Sequence, residues 1–137
     1  MVIVLPLIAI ITLVTIIPML ITPYRRPTSM VRNHILQVTP LGTSIEVVVD
    51  NIESRDGWDI RRTDFERGFI PGSVARPPLE LNPNTTVIGE MSVWVNLGTY
   101  RVWYKWFPFM EWDVDVFWGF DADGGLIEVY VRKLGMF

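Results

Sequence analysis

The sequence predicts an α+β protein: an N-terminal transmembrane helix followed by a small two-layer domain, with one or two short helices packed on an antiparallel sheet of about four strands. Three observations carry that prediction. Met1 to Thr22 contains no charged side chain. Ile45, Val48, Val49 and Ile52 recur at helical spacing. The C-terminal half then alternates apolar and polar residues with period two in three separate runs, which is strand patterning. The chain therefore divides into an anchor (1–24), a juxtamembrane linker (25–32) and one α+β domain (33–137).

The anchor rests on length and composition. A helix over Met1 to Thr22 would rise roughly 33 Å, enough to cross a hydrocarbon core of about 30 Å. Ile, Leu and Val dominate it, and in lipid a helix satisfies its backbone internally. Pro6 falls in the first turns, Pro18 suggests a kink, and Pro23 and Pro27 end the helix beside the interfacial Tyr24. A cleaved signal peptide would carry a basic residue before its apolar core, and here the first is Arg25. A lipoprotein signal would need a cysteine, and the chain has none. A buried core helix would rarely be apolar on every side over this length. Arg25, Arg26 and Arg32 lie on the C-terminal side of the span, which leans the domain toward the cytoplasm.

The 12 basic and 15 acidic residues all follow the anchor and leave a net charge of −3, so nucleic acid is not the expected partner. Six Trp, seven Phe and four Tyr can fill the core of one small domain.

Ser29 to Val38 reads as a brief helix leading away from the membrane, closed by Thr39-Pro40-Leu41-Gly42. Thr43-Ser44-Ile45-Glu46 reads as a capping box that opens the next helix. Arg55, Asp56 and Gly57 end that helix. Trp58 to Asp64 reads as an exposed edge strand, and Gly68 to Asn84, with Pro71, Pro77, Pro78 and Pro83, as a long loop. The strand runs are Met91 to Leu97, Asp113 to Phe120 and Ile127 to Arg132. Met91, Val93, Val95, Leu97, Val114, Val116, Trp118, Phe120, Ile127, Val129 and Val131 are expected on the buried face. Asp121 to Gly125 forms the tight turn between the last two.

The side-chain inventory argues against most catalytic chemistry. A single histidine, His34, and no cysteine leave nucleophilic triads and zinc sites without parts, so no catalytic, metal or cofactor residues are expected. Asp121, Asp123 and Gly124 begin like a calcium loop but lack its later ligands. Asp113, Asp115 or Asp64 could act as an acid/base in an enzyme on a lipid or envelope substrate, although Arg101, Lys105 or Arg132 could neutralise such a face. Asn84-Thr85-Thr86 is a glycosylation acceptor only in a eukaryotic secretory setting.

The most unusual stretch is Tyr100 to Trp112, in which seven of thirteen residues are aromatic. Pro108 and the lack of clean alternation suggest a loop or broken strand there. Tyr100, Trp103, Tyr104, Trp106, Phe107, Phe109 and Trp112 are candidate contacts for a partner or for the bilayer interface, with a capped core rim as the alternative.

The segments H-I-L-Q-V-T-P-L-G-T-S-I-E-V-V-V-D-N-I-E-S-R-D-G-W from His34, V-I-G-E-M-S-V-W-V-N-L-G-T-Y-R from Val87 and V-D-V-F-W-G-F-D-A-D-G-G-L-I-E-V-Y-V-R-K from Val114 resemble a family of small bacterial proteins that pair a hydrophobic segment with one domain. More remotely, Gly42 to Val47 and the element order are similar to the domain shared by outer-membrane assembly lipoproteins of the SmpA/BamE kind and β-lactamase-inhibitory proteins. That resemblance implies a non-enzymatic binding module outside the cytoplasm, with no catalytic residues to carry over. A pilin-like anchor is disfavoured because position 5 is Leu5. The chain is thus expected to be a single-pass signal-anchored membrane protein that binds a protein partner or supports an envelope assembly, or else a purely structural tether.

Overall fold

The computed structural model describes residues 10, 11, 13, 23–72, 86–104 and 107–136, and among these the side chains of 23, 102–104, 107–109 and 136 lie outside the description. A short 3-10 turn (Pro23–Arg25) leads into helix α1 (Thr28–Val38) and helix α2 (Ile45–Glu53). Four strands follow: β1 (Asp59–Asp64), β2 (Met91–Tyr104), β3 (Phe107–Phe120) and β4 (Leu126–Met136). They form one open sheet in the order β1-β2-β3-β4 with every neighbouring pair antiparallel. The α+β class is as expected. Among the described residues no helix is long and apolar enough to cross a membrane, and most of the expected span lies outside them.

Both helices cover one face of the sheet. Val31 and Ile35 of α1 and Ile45, Val48 and Ile52 of α2 are buried against Val93, Val95, Val114, Val116, Trp118, Phe120 and Val129. Three consecutive valines do not prevent α2, because burying Val48 completely outweighs their weak helical preference. At the centre, the buried Trp118 donates its indole N–H to Thr39 Oγ1 at 3.1 Å, and Thr39 in turn donates to the Ile35 carbonyl at 3.0 Å. This fixes the end of α1 to the middle of β3.

The start of α2 differs from the expected capping box. Ser44 is the N-cap residue, and no side chain caps the helix. The Thr43 hydroxyl donates to the Pro40 carbonyl at 2.6 Å instead. Backbone of the β3–β4 turn takes over the work: Ile45 N–H donates to Gly124 O at 3.0 Å, and Leu126 N–H donates to Thr43 O at 2.9 Å. A helix terminus needs its orphan donors satisfied, and a neighbouring strand end can do that as well as a local side chain.

Two bulges decide which residues face the helices. In β2 the register slips between Asn96 and Gly98, with Gly98 at φ +116° and its N–H donating to Asn96 Oδ1 at 2.9 Å. A left-handed backbone of that kind is open to glycine at little cost. Leu97 is buried in line with Val93 and Val95, and after it the slip reverses the alternation, so Tyr100, rather than Thr99 or Arg101, packs on the helix side. The second bulge, beside Gly119, pairs Phe120 with Leu126. Leu126 therefore occupies the core at 2 % exposure, while Ile127, expected inside, stands out at 44 %.

Among its described residues the Tyr100 to Trp112 stretch is strand, interrupted by a register slip beyond Val102, rather than loop. β2 and β3 continue pairing through Arg101↔Glu111 and Val102↔Met110 to Tyr104↔Phe107. Pro108 falls in the register slip beyond Val102, a bulged position where a missing N–H is tolerated. The result is a long β2–β3 hairpin. In the expected Gly68 to Asn84 loop, Phe69 forms an isolated bridge to Ile88, and residues 73–85 lie outside the description.

The face away from the helices carries a second packed layer. Trp94 stacks on Phe117 at 5.7 Å, and Phe69 lies against Phe117 and Tyr130 at 5.6 and 6.1 Å. Gly119 makes room for it, since a Cβ there would come within 2.8 Å of the Phe69 ring.

The bulge beside Gly119 sets a clear contrast. Leu126→Ala is expected to lower unfolding free energy by about 2 to 4 kcal/mol through the cavity it leaves, and Ile127→Ala by less than about 0.5 kcal/mol. Equal losses in denaturant titration would place Ile127 in the core and contradict the register.

Candidate functional site

The antiparallel order gives the sheet two distinct ends. One holds the Asp121 to Gly125 turn and the start of β2 at Met91. The other holds the tip of the β2–β3 hairpin and the end of β4. A strand of fourteen residues, as β2 and β3 are, separates the two ends by roughly 45 Å.

The segment Tyr24 to Arg26 is fastened near mid-sheet, on its hairpin side: Lys133 is level with Val114, and Arg101 pairs with Glu111. Lys133 of β4 donates from Nζ to the Tyr24 carbonyl at 2.5 Å, the Arg26 carbonyl at 2.6 Å and the Tyr100 hydroxyl at 3.2 Å. An ammonium group has three N–H donors, and all three are used. It also lies 5.0 Å from the centroid of the Tyr100 ring, within cation–π range. Arg25 Nη2 donates to the Arg101 carbonyl at 2.7 Å, and Trp58 Nε1 donates to the Tyr24 hydroxyl at 2.9 Å. Trp58 in turn packs against Trp118 at 6.3 Å, so the fastening runs into the core.

Burial governs the titration of this cluster. It holds the Lys133 ammonium below the usual lysine range, because burial disfavours its charged form. It pushes the Tyr100 hydroxyl up, with the Arg25 charge opposing the shift. Further along β4, the Arg32 guanidinium bonds Glu128 at 2.5 Å and holds that carboxyl below its usual range. Burial opposes this shift, and the Val129 N–H adds to it at 2.9 Å.

Of the seven aromatic residues expected to form a contact surface, two have described side chains. Tyr100 belongs to the Lys133 cluster and is half-buried. Trp112 is half-buried over Gly135, where a Cβ would come within 3.5 Å of its ring. The backbones of Trp103, Tyr104, Phe107 and Phe109 fall in the hairpin tip, while their side chains and all of Trp106 lie outside the described residues. The topology thus gathers these positions at the tip, beyond the half of the sheet to which Tyr24 to Arg26 is fastened. Lys133 and Trp58 had no signature as site residues, since a single lysine in an alternating strand looks like any solvated position. Tyr24 and Tyr100 were legible, the first through its place after the apolar span and the second through the aromatic run.

The candidate acid/base residues are not brought together. Asp115 is buried on the face away from the helices, with Oδ2 2.8 Å from Arg132 Nη2 and Oδ1 3.0 Å from Asn96 Nδ2. Both carboxylate oxygens therefore accept bonds from neighbouring strands. Asp64 pairs with Arg62 at 2.7 Å, and Asp113 is half-buried opposite Thr99 and Leu134. Asp121 Oδ1 accepts from Asp123 N at 3.0 Å and Gly125 N at 2.8 Å, the job of a turn-forming aspartate. Among the described residues no three His, Asp or Glu side chains are grouped to hold a metal ion.

Lys133→Met keeps most of the stem and removes the donors. It is expected to cost about 2 kcal/mol of stability and to speed amide exchange in Tyr24 to Arg26; unchanged exchange there would show that the segment is held by other contacts. Because the folded Glu128 carboxyl is held low, its contribution is complete above its ordinary value of 4.5 and is lost as pH falls through its lower folded value. Thermal melts should therefore show Glu128→Gln less stable than the parent at neutral pH and converging with it in acid. Comparison with protein-family models, with curated proteins and with solved structures finds no match to this chain.

Proposed function

We propose that the chain is a single-pass, membrane-tethered, non-enzymatic binding module whose β2–β3 hairpin tip is its contact surface for an envelope partner at the bilayer. The observation that carries this reading is one of placement. Tyr24 to Arg26, which follow the uncharged Met1 to Thr22, are fastened to the half of the sheet that leads into the aromatic-rich tip, with Arg25 bonded to the Arg101 carbonyl. A tether leaving the domain there would bring the tip to headgroup depth, where Trp and Tyr are favoured.

Three further features support the reading. Ile10, Ile11 and Leu13 are helical and exposed at 59 %, 56 % and 62 %, as aliphatic side chains facing lipid would be. The carboxylate with the strongest claim to catalysis, Asp115, is engaged on both oxygens by Arg132 and Asn96, which fits a structural ion pair. A non-enzymatic module is also what the remote resemblance of Gly42 to Val47 and the element order to the SmpA/BamE-type domain would imply. That similarity favours the extracytoplasmic side, whereas Arg25, Arg26 and Arg32 favour the cytoplasmic one.

Two measurements test the proposal. Alkaline carbonate washing should leave the full chain in the membrane pellet and release a variant lacking residues 1–22; release of the full chain would refute the tether. The substitutions Trp103→Ser, Trp106→Ser and Phe107→Ser together should leave the melting temperature within a few degrees and abolish site-specific crosslinking from position 104 to membrane components. Collapse of the fold instead would assign those side chains to the core.

A further inference from the structure

A cavity of about 330 Å³ opens between Tyr24 to Arg26, α1 and the start of β1. Its floor is apolar, with Ile35 and Leu97 almost fully buried, and Trp58 forms one wall. Beside Tyr24, the polar part of its lining is Arg26, Arg55 and His34, with no Asp or Glu. Among the described residues the ion pairs engage Arg32, Arg61, Arg62, Arg101 and Arg132, and neither Arg26 nor Arg55 pairs with a carboxylate. In a chain with a surplus of acidic residues, two arginines left without carboxylates in one concavity call for an anion. Arg55 is also oriented in advance, with its guanidinium stacked 4.9 Å from the Trp58 ring centroid. Stacking of that kind leaves the guanidinium edge able to donate in the fork geometry that phosphate oxygens accept.

We infer that this cavity binds one phosphate-bearing anion, through Arg26 and Arg55, with its apolar portion on Ile35, Leu97 and Trp58. The mixture of a few polar groups with an apolar floor is that of a small-ligand site, and the volume lies in the range of such sites. The phosphate could be supplied by the headgroup of an anionic phospholipid or by a free phosphate ester. The choice of lipid rests on the tethered reading, which sets Arg26 at headgroup depth; the anion site itself does not depend on it.

The full chain in neutral detergent should be offered phosphatidylglycerol, phosphatidylcholine or glycerol 3-phosphate, with binding read by native mass spectrometry. One retained phosphatidylglycerol per chain, without retention of phosphatidylcholine, supports a headgroup site. Retention of glycerol 3-phosphate alone supports the same site with a free phosphate ester as its source. In either case Arg26→Gln with Arg55→Gln should weaken binding at least about tenfold, while Arg61→Gln with Arg67→Gln leaves it unchanged. Circular dichroism melts check that the double variant folds, and Arg55→Lys, which keeps the charge and loses the fork, should weaken binding if it does not. Equal retention of both lipids, no anion bound, or equal loss in both double variants would overturn the proposal. A chain freed by carbonate that still binds glycerol 3-phosphate through Arg26 and Arg55 would remove the tether and keep the site.

Discussion

One ammonium group fixes the segment before α1 to the sheet. Lys133 spends all three of its N–H donors on Tyr24, Arg26 and Tyr100. Without it, two half-buried backbone carbonyls would lack their charged partner, and the segment before α1 could leave the sheet in many directions. With it, residues 24 to 26 are fixed to the last third of β4, beside the hairpin that carries the aromatic excess. Burial disfavours the charge that makes these bonds and holds Lys133 below the usual lysine range. The three bonds to Tyr24, Arg26 and Tyr100 offset that cost and hold residues 24 to 26 against β4.

That attachment is useful only if the body behind it is stiff, and the sheet is supported on both faces. On one side a line of contacts runs from Thr39 through Trp118 and Trp58 to Tyr24. On the other, Trp94, Phe117, Tyr130 and Phe69 stack beside the Asp115–Arg132 pair, whose side chains are only 5 % and 7 % exposed. Burying such a pair gives little net stability, but it penalises any register that separates the two residues. Asn96, Asp115 and Arg132 share one row across β2, β3 and β4, so the pair holds the strands in register near the β2 bulge.

Much of this was legible because local pattern and tertiary need agree. Val48 and Ile52 announce α2 by spacing, and Val93, Val95, Val114 and Val116 announce the sheet by alternation. The failures have a common cause, which is that a bulge changes parity without leaving a sequence signature. Gly98 turns Tyr100 inward, and the bulge beside Gly119 exchanges Leu126 for Ile127. The capping box at Thr43 was displaced for a related reason, since the β3–β4 turn already supplies the acceptors. Pro108 suggested a break, but it sits in a register slip where the ladder has no bond to lose. At the candidate site, Tyr24 and the aromatic run could be read directly. Lys133 and Trp58 could not, because their roles exist only once β4 and β1 are brought beside residues 24 to 26.

In the proposed reading these constraints serve a single geometry: a short domain held end-on to the bilayer, with the hairpin tip down and the Asp121 to Gly125 turn farthest away. The chain has no cysteine, so single spin labels can be placed without background. The most direct test is accessibility of labels at Tyr104 and Ala122 in full-length protein reconstituted into nanodiscs, measured against oxygen and a water-soluble nickel chelate. The expected result is a Tyr104 label with the oxygen preference of the interface and an Ala122 label with the chelate preference of bulk water. Equal aqueous accessibility at both positions would contradict an end-on domain fastened at Lys133.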